Sequence, residues 1–306
     1  MNKQTSLKEQ FVVFIKGIAM GSANVIPGIS GGTIALITGI FERLINALKS
    51  FDLQAVKLLF GGNFKKFAQH TDLFFLLSLF LGVFVAIISF ARFFEFILAK
   101  YPIYIWAYFF GLVFASAFFI GKTVKKRNIV IALLFIAGVA IASYISFFTA
   151  SGTENDSFWY LMLCGVVVMC SMLLPGLSGS FMLILMGNFQ LLLDAVNHLR
   201  FEIIIPFMLG AVAGLIAFSH FLAWLLKRFR DATIALLTGF ILGSLGILWP
   251  WKTEITQIFG TSERVVGYEW FLPQMNAEFA IALFWCVLGV ATIYIIEWIA
   301  GKSTKE

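Results

Sequence analysis

Six stretches of this sequence, at about 73–98, 103–121, 129–148, 203–226, 232–249 and 278–300, run on with almost no charge. A helix needs ~20 such residues to cross the hydrocarbon of a bilayer, because each adds only ~1.5 Å of length. With 60% of residues hydrophobic and 12% charged, one soluble globule could not be given a polar skin. The chain is therefore expected to be an all-α polytopic membrane protein. No small-residue cleavage site follows "MNKQTSLKEQ", so the first apolar segment is expected to be retained. Cys164, Cys170 and Cys286 all lie in apolar runs at spacings that fit neither a disulfide framework nor a metal site, and they read as packing residues. No metal, cofactor or nucleic acid is expected, and a homodimer is left open.

Two further apolar regions, about 11–48 and 158–193, are too long for one crossing and are interrupted by "PGISGG" and "PGLSGS". Proline removes a backbone donor and glycine permits a tight reversal, so Pro27-Gly28 and Pro175-Gly176 are expected to be structural turns. A broken helix can cross the membrane or return to the side it entered. If both regions are re-entrant hairpins, residues 1–16, 42–72, 122–127, 227–231 and 301–306 share one side and hold 17 of the 22 Lys and Arg residues. That side is cytoplasmic by the positive-inside rule, and both termini lie there. If both regions crossed, "KTVKKR" and "KRFR" would face opposite sides, so the re-entrant reading is preferred.

The interrupted regions also match each other. At an offset of 148, Gly17 falls on Gly165, Pro27 on Pro175, Gly31 on Gly179, Gly39 on Gly187 and Phe41 on Phe189. The match resumes at an offset of 128, with Gly82 on Gly210 and Gly111 on Gly239, and "AGVA" falls on "LGVA" at 151. The change of offset places an insertion at 49–72, a basic amphipathic segment suited to the cytoplasmic surface. Repeat 1 is thus 1–148 and repeat 2 is 149–306, within one integrated membrane domain. Each has one hairpin and three crossings, and three crossings force the second copy to be inverted.

Inverted repeats with broken helices place a substrate near the midplane, where non-helical backbone lines a cavity. After each turn a half-helix begins, and its first N–H groups favour an anion such as phosphate. Ser22, Asn24, Ser30, Gly31, Gly32 and Thr33 in the first motif, and Ser178, Gly179 and Ser180 in the second, are the expected binding positions. Gly28 and Gly32 also form a GxxxG pair that by itself serves close packing, but packing does not account for the clustered Ser22, Asn24, Ser30 and Thr33. Asn24, Gly32 and Thr33 oppose Met172, Ser180 and Phe181, so the main polar contacts are expected on the first copy. Arg92 and Glu95 lie one turn apart and either pair with each other or snorkel outward. Arg92 and its repeat counterpart His220 are also placed to attract an anion at the two mouths. Glu42 and Arg43 fall at the rim of the first hairpin, where solvated end charges are the plainer reading.

"GSANVIPGISGGTIALITGIFERLI" followed by "LLPGLSGSFMLILMGNFQLLL" resembles the PopT family of polyprenyl-phosphate translocases, formerly a domain family of unknown function. The resemblance runs over nearly the whole chain. It implies a bacterial plasma-membrane protein that returns undecaprenyl phosphate, the carrier lipid of cell-wall synthesis, from the outer to the cytoplasmic leaflet. Two alternatives remain at this stage: a polyprenyl pyrophosphate phosphatase-like enzyme and a small-anion transporter. Against the enzyme, "PGISGG" and "PGLSGS" carry glycine where "PGxSRS" has arginine, and no charged residue adjoins either turn. Moving an anion inward against an inside-negative potential costs ~2.3 kcal/mol per charge per 100 mV, so coupling to a proton or another cation is expected, with His220, Glu42 and Glu95 as the candidates to carry a proton.

The topology is open to direct test. In a cysteine-free background, single cysteines at Gly62 and Phe229 are expected to label from the cytoplasm and one at Asn155 from outside. Labelling of Gly62 and Phe229 from opposite faces would overturn the inverted-repeat reading.

Overall fold

The computed structural model describes residues 7–25, 30–126, 128–147, 154–177, 179–259 and 262–303. Helix α1 (Leu7–Val25) is followed by the short helices α2 (Gly31–Ile37) and α3 (Phe41–Lys49). The insertion forms α4 (Leu53–Phe60) and α5 (Phe64–His70), and the long apolar helices α6 (Leu73–Lys100), α7 (Pro102–Lys122) and α8 (Ile129–Phe147) come next. The series then recurs as α9 (Phe158–Leu173), α10 (Gly179–Leu185), α11 (Phe189–Asn197), α12 (Phe201–Arg228) and α13 (Arg230–Gly243) with its short extension α14 (Leu245–Leu248). Strands β1 (Lys252–Phe259) and β2 (Ser262–Trp270) precede α15 (Ala277–Ser303).

Six spans among the described residues are long and apolar enough to cross a membrane, and they fall on the six stretches read from the sequence. The chain is a multi-pass helical membrane protein. Two details differ from the sequence expectation. First, the second arm of each interrupted region is itself broken: α2 and α3 meet at 117°. Gly39 and its counterpart Gly187 sit at these second breaks with φ of +72° and +77°, a left-handed conformation that stops a helix and that a side chain disfavours. Their match at an offset of 148 was the available signal. Second, the fold is not wholly α, because β1 and β2 pair antiparallel from Lys252 opposite Trp270 to Phe259 opposite Ser262, with an irregularity at Ile255/Thr256. Thr253, Ile255, Thr256 and Ile258 in one strand and Val265, Val266 and Tyr268 in the other are residue types that favour extended backbone.

The chain divides into two compact units, each made of two separated stretches of sequence. One holds residues 1–94 and 152–230, the other 95–151 and 231–306. In the first, Leu161, Leu191, Ala195 and Ile203 join α9, α11 and α12 in one buried cluster, while Cys164 packs with Val168 and Leu183. In the second, Ala107, Trp251 and Ala282 form a cluster that Cys286 adjoins.

Close helix crossings recur at positions that the sequence offsets match. A Cβ at Gly17 would strike the Leu79 carbonyl and crowd Gly82, and one at Gly165 would strike the Phe207 carbonyl and crowd Gly210. Leu79 and Phe207, like Gly82 and Gly210, are related by the offset of 128. In the other unit Gly111 abuts Cys286 while Gly239 abuts Phe135, and Gly289 abuts Tyr108 while Gly138 abuts Leu236. Each pair is again a counterpart of the other. In the first unit these crossings join α1 to α6 and α9 to α12, and in the second they join α7 to α15 and α8 to α13.

In the insertion, Asp52 caps α4 by accepting from the Gln54 and Ala55 amides, each at 2.9 Å, and its Oδ1 lies 3.0 Å from His70 Nε2. Leu53, Phe60 and Phe64 are exposed around it. The Ala55 amide chiefly, and His70 in addition, hold the Asp52 carboxyl below the ordinary carboxylate range. A depressed pKa stabilises above the ordinary range and the contribution is lost as pH falls through the lowered value. The α4–α5 pair is thus expected to loosen below about pH 4, seen as rising amide exchange in Leu53–His70, and Asp52→Asn should remove the dependence.

Glycine substitutions should separate close crossings from open helix faces. Gly210→Ala meets rigid backbone of α9 and is expected to destabilise by about 1–3 kcal/mol. Gly121→Ala in α7 meets only Thr238 Cγ2 at 3.7 Å and should be neutral or stabilising by up to about 1 kcal/mol. Thermal unfolding in a fixed detergent compares them.

Candidate functional site

The polar motif occupies the junction between α1 and α2. Pro27 and Gly28 lie outside the described residues, as does Ser178, and the side chains of Ser180, Arg92 and Glu95 are likewise not described. Ser30 is extended (φ −99°, ψ 136°) and is the N-cap of α2. Its hydroxyl accepts from the Gly32 amide at 3.2 Å and its carbonyl from the Thr33 amide at 2.9 Å. Asn24, at the end of α1, accepts from the Gly31 amide through Oδ1 at 2.8 Å. The first amides of α2, expected from sequence to await an anion, are thus engaged by side chains of their own motif. Asn24 Nδ2 and the Ser30 and Thr33 hydroxyl protons are the donors left over among the described contacts, so the arrangement offers side-chain rather than backbone donors.

The two motifs meet. Thr33, buried, accepts from the Gly176 amide through Oγ1 at 3.0 Å. Gly176 has φ +84° in the second turn, and Pro175 beside it is buried. A Cβ at Gly32 would lie 3.4 Å from the Met172 carbonyl and 3.5 Å from that of Leu173, so the C-terminal end of α9 faces the start of α2. Carbonyls carrying partial negative charge there complement the positive end of the α2 dipole.

The copies differ in chemistry at one shared place. Space beside Gly31 is filled by Asn24 and Met20, while space beside Gly179 is filled by Met172 and Val168, their counterparts at an offset of 148. A carboxamide stands on one side and a thioether on the other. Ser22 is half-buried on α1, and Asn24 is exposed. The first copy is the polar one.

Charged groups cluster where α1 begins. Arg43 binds Asp72 through Nε and Nη2 at 2.6 and 3.1 Å and Glu9 through Nη1 at 2.7 Å, with its guanidinium 4.4 Å over the Phe75 ring. It therefore ties α1, α3 and the start of α6 together and is more than a solvated end charge. Glu42 pairs with Arg230 at 2.9 Å, and both side chains are nearly half exposed. Lys16 donates to the Thr38 carbonyl at 2.7 Å, at the end of α2. Sequence reasoning counted Lys16 only as a terminal charge, although a lone lysine within "FVVFIKGIAM" was a usable signal. His220, half-buried on α12, donates from Nδ1 to the Ile216 carbonyl at 2.9 Å. The structure brings Asn24, Ser30, Gly31, Gly32, Thr33 and Gly176 together.

Thr33→Val keeps the shape but leaves the buried Gly176 amide without its acceptor, at a cost of about 1–3 kcal/mol. A clear drop in unfolding temperature is expected. Asn24→Met likewise leaves the buried Gly31 amide without its acceptor, so a lower unfolding temperature is expected together with weaker polar ligand binding. Equal unfolding temperatures for Thr33→Val and wild type would contradict the junction described here.

The sequence model of a family described as undecaprenyl phosphate translocase-like matches residues 20–266. A polyprenyl-phosphate transporter of Vibrio cholerae serotype O1 is 37% identical over 298 residues, spanning 94% of this chain and 96% of that protein. A polyprenyl-phosphate transporter of Staphylococcus aureus is 28% identical over 269 residues, spanning 79% of this chain and 87% of its own length. No solved structure matches.

Proposed function

The chain belongs to the undecaprenyl phosphate translocase-like family, and on that premise we propose that it carries polyprenyl phosphate across the bacterial plasma membrane, from the outer to the cytoplasmic leaflet. Carrier-lipid recycling for cell-envelope synthesis is the role this serves. The single observation that carries the reading is the junction of the two motifs, where Thr33 and Gly176 bond directly. A small, hydroxyl- and amide-lined cradle with few fixed charges suits a phosphate that must be bound and then released.

The architecture proposed for this task is a pair of inverted repeats, each with one re-entrant hairpin and three crossings. The matching glycine crossings support the duplication, and the excess of Lys and Arg on one set of loops supports inversion with both termini cytoplasmic. The exposed Leu53, Phe60 and Phe64 suit an insertion lying on the cytoplasmic surface. In this proposal Ser22, Asn24, Ser30, Gly31, Gly32 and Thr33 make the main headgroup contacts, and Ser178, Gly179 and Ser180 of the second motif contribute the remainder. Arg92 and His220 attract the headgroup at the two mouths.

Inward movement of the anion is accompanied by a proton in this proposal, because the potential opposes it by ~2.3 kcal/mol per charge per 100 mV. Glu42 is engaged with Arg230 in an exposed pair, which leaves His220 and Glu95 as the better carriers.

Purified protein is expected to bind a polyprenyl monophosphate and to release no phosphate from the pyrophosphate form. Asn24→Met should weaken monophosphate binding by roughly tenfold, the worth of one hydrogen bond to a charged group at about 1.5 kcal/mol. Rapid phosphate release would replace the transporter reading with an enzyme. Unchanged lipid binding in the variant would move the site away from the motif.

A further inference from the structure

In the unit formed by residues 95–151 and 231–306, an open groove of about 760 Å³ runs between α7, α8 and α13. Its walls include Phe114, Phe118, Ala132, Phe135, Ala235 and Leu242, and no carboxylate is among its lining residues. Phe114 and Phe118 are 53% and 54% exposed, so the groove opens sideways onto the surface that faces lipid tails. Polar groups gather at one end. There Lys122 lays its stem on the wall with Nζ 4.3 Å over the Phe118 ring and 5.3 Å over that of Phe119. Lys126 also lines that end, held by its own amide, which donates to Asp231 Oδ2 at 2.8 Å. Asn128 caps α8 by accepting from the Ile131 amide at 2.9 Å, so the positive end of that helix points the same way.

We propose that this groove is a binding site for an anionic diacyl phospholipid of the cytoplasmic leaflet, with the phosphate between Lys122 and Lys126 and one acyl chain along the phenylalanine wall. Charge complementarity selects the head: basic pockets between membrane helices on the cytoplasmic side hold anionic headgroups. The volume selects the tail. A groove in the 300–1,000 Å³ class encloses a small ligand and takes one acyl chain, whereas a long polyprenyl chain would leave most of its length outside. Anionic phospholipid is also the abundant anionic amphiphile at that surface, so mass action favours it.

The test is native mass spectrometry of the full-length protein in detergent with equimolar phosphatidylglycerol, phosphatidylcholine and polyprenyl monophosphate. Phosphatidylglycerol should be retained over phosphatidylcholine, and each of Lys122→Gln and Lys126→Gln should reduce its retention by roughly fivefold. Ala132→Phe, a substitution at an exposed position of α8, should fill the groove and abolish the preference with the unfolding temperature unchanged. Polyprenyl monophosphate retention should survive all three variants and fall in Asn24→Met. Equal retention of the two phospholipids in wild type would overturn the proposal, as would phosphatidylglycerol retention indifferent to all three variants. Loss of polyprenyl monophosphate instead of phosphatidylglycerol in these variants would also overturn it, making the transported lipid the occupant.

Discussion

The amide of Gly176 donates to the hydroxyl of Thr33 across the two motifs, and the rest of the site depends on bonds of this kind. Wherever a helix breaks inside an apolar protein, peptide groups are exposed to surroundings that cannot satisfy them, and each unpartnered group is costly. This chain breaks at both motifs and supplies the partners itself. Asn24 and Ser30 take the Gly31 and Gly32 amides, and Thr33 takes that of Gly176. The small polar residues around "PGISGG" are therefore structural. In the proposed transporter they serve the headgroup as well, and an incoming phosphate would exchange bonds with a preassembled polar cradle.

Sequence-matched glycines make matching close crossings in both units, so one kind of backbone approach recurs. The side chains that fill the space beside it differ. Asn24 and Met172 stand beside Gly31 and Gly179 respectively, and the exchange of a carboxamide for a thioether removes the polar donors from one copy. In the proposed transporter, one copy holds the headgroup while the other supplies a smooth facing wall.

Much of the fold was legible in the sequence because its determinants are local. Length and hydropathy located the six spans. The second breaks at Gly39 and Gly187 were missed although both glycines had been matched, because a glycine after an apolar run reads equally as packing or as a stop. The β-hairpin at Lys252–Trp270 is a short, mixed polar segment between two spans, and such a pattern does not by itself specify strand pairing. The candidate site was legible in its residue types but not in its bonding. Sequence cannot tell whether the N–H groups at a half-helix start are open to a ligand or capped by a residue seven positions earlier, as Gly31 is by Asn24. The role of Arg43 was hidden for a similar reason, since Glu9 and Asp72 approach it only in the folded chain.

The central claim is that both motifs form one phosphate site on the unequal scaffold described above. An experimental structure of the protein with bound polyprenyl monophosphate tests it most directly. The account predicts headgroup density within hydrogen-bond reach of Asn24, Ser30 and Thr33, beside the turn at Gly176. Headgroup density remote from both motifs, or motifs held apart in the lipid-bound state, would contradict it.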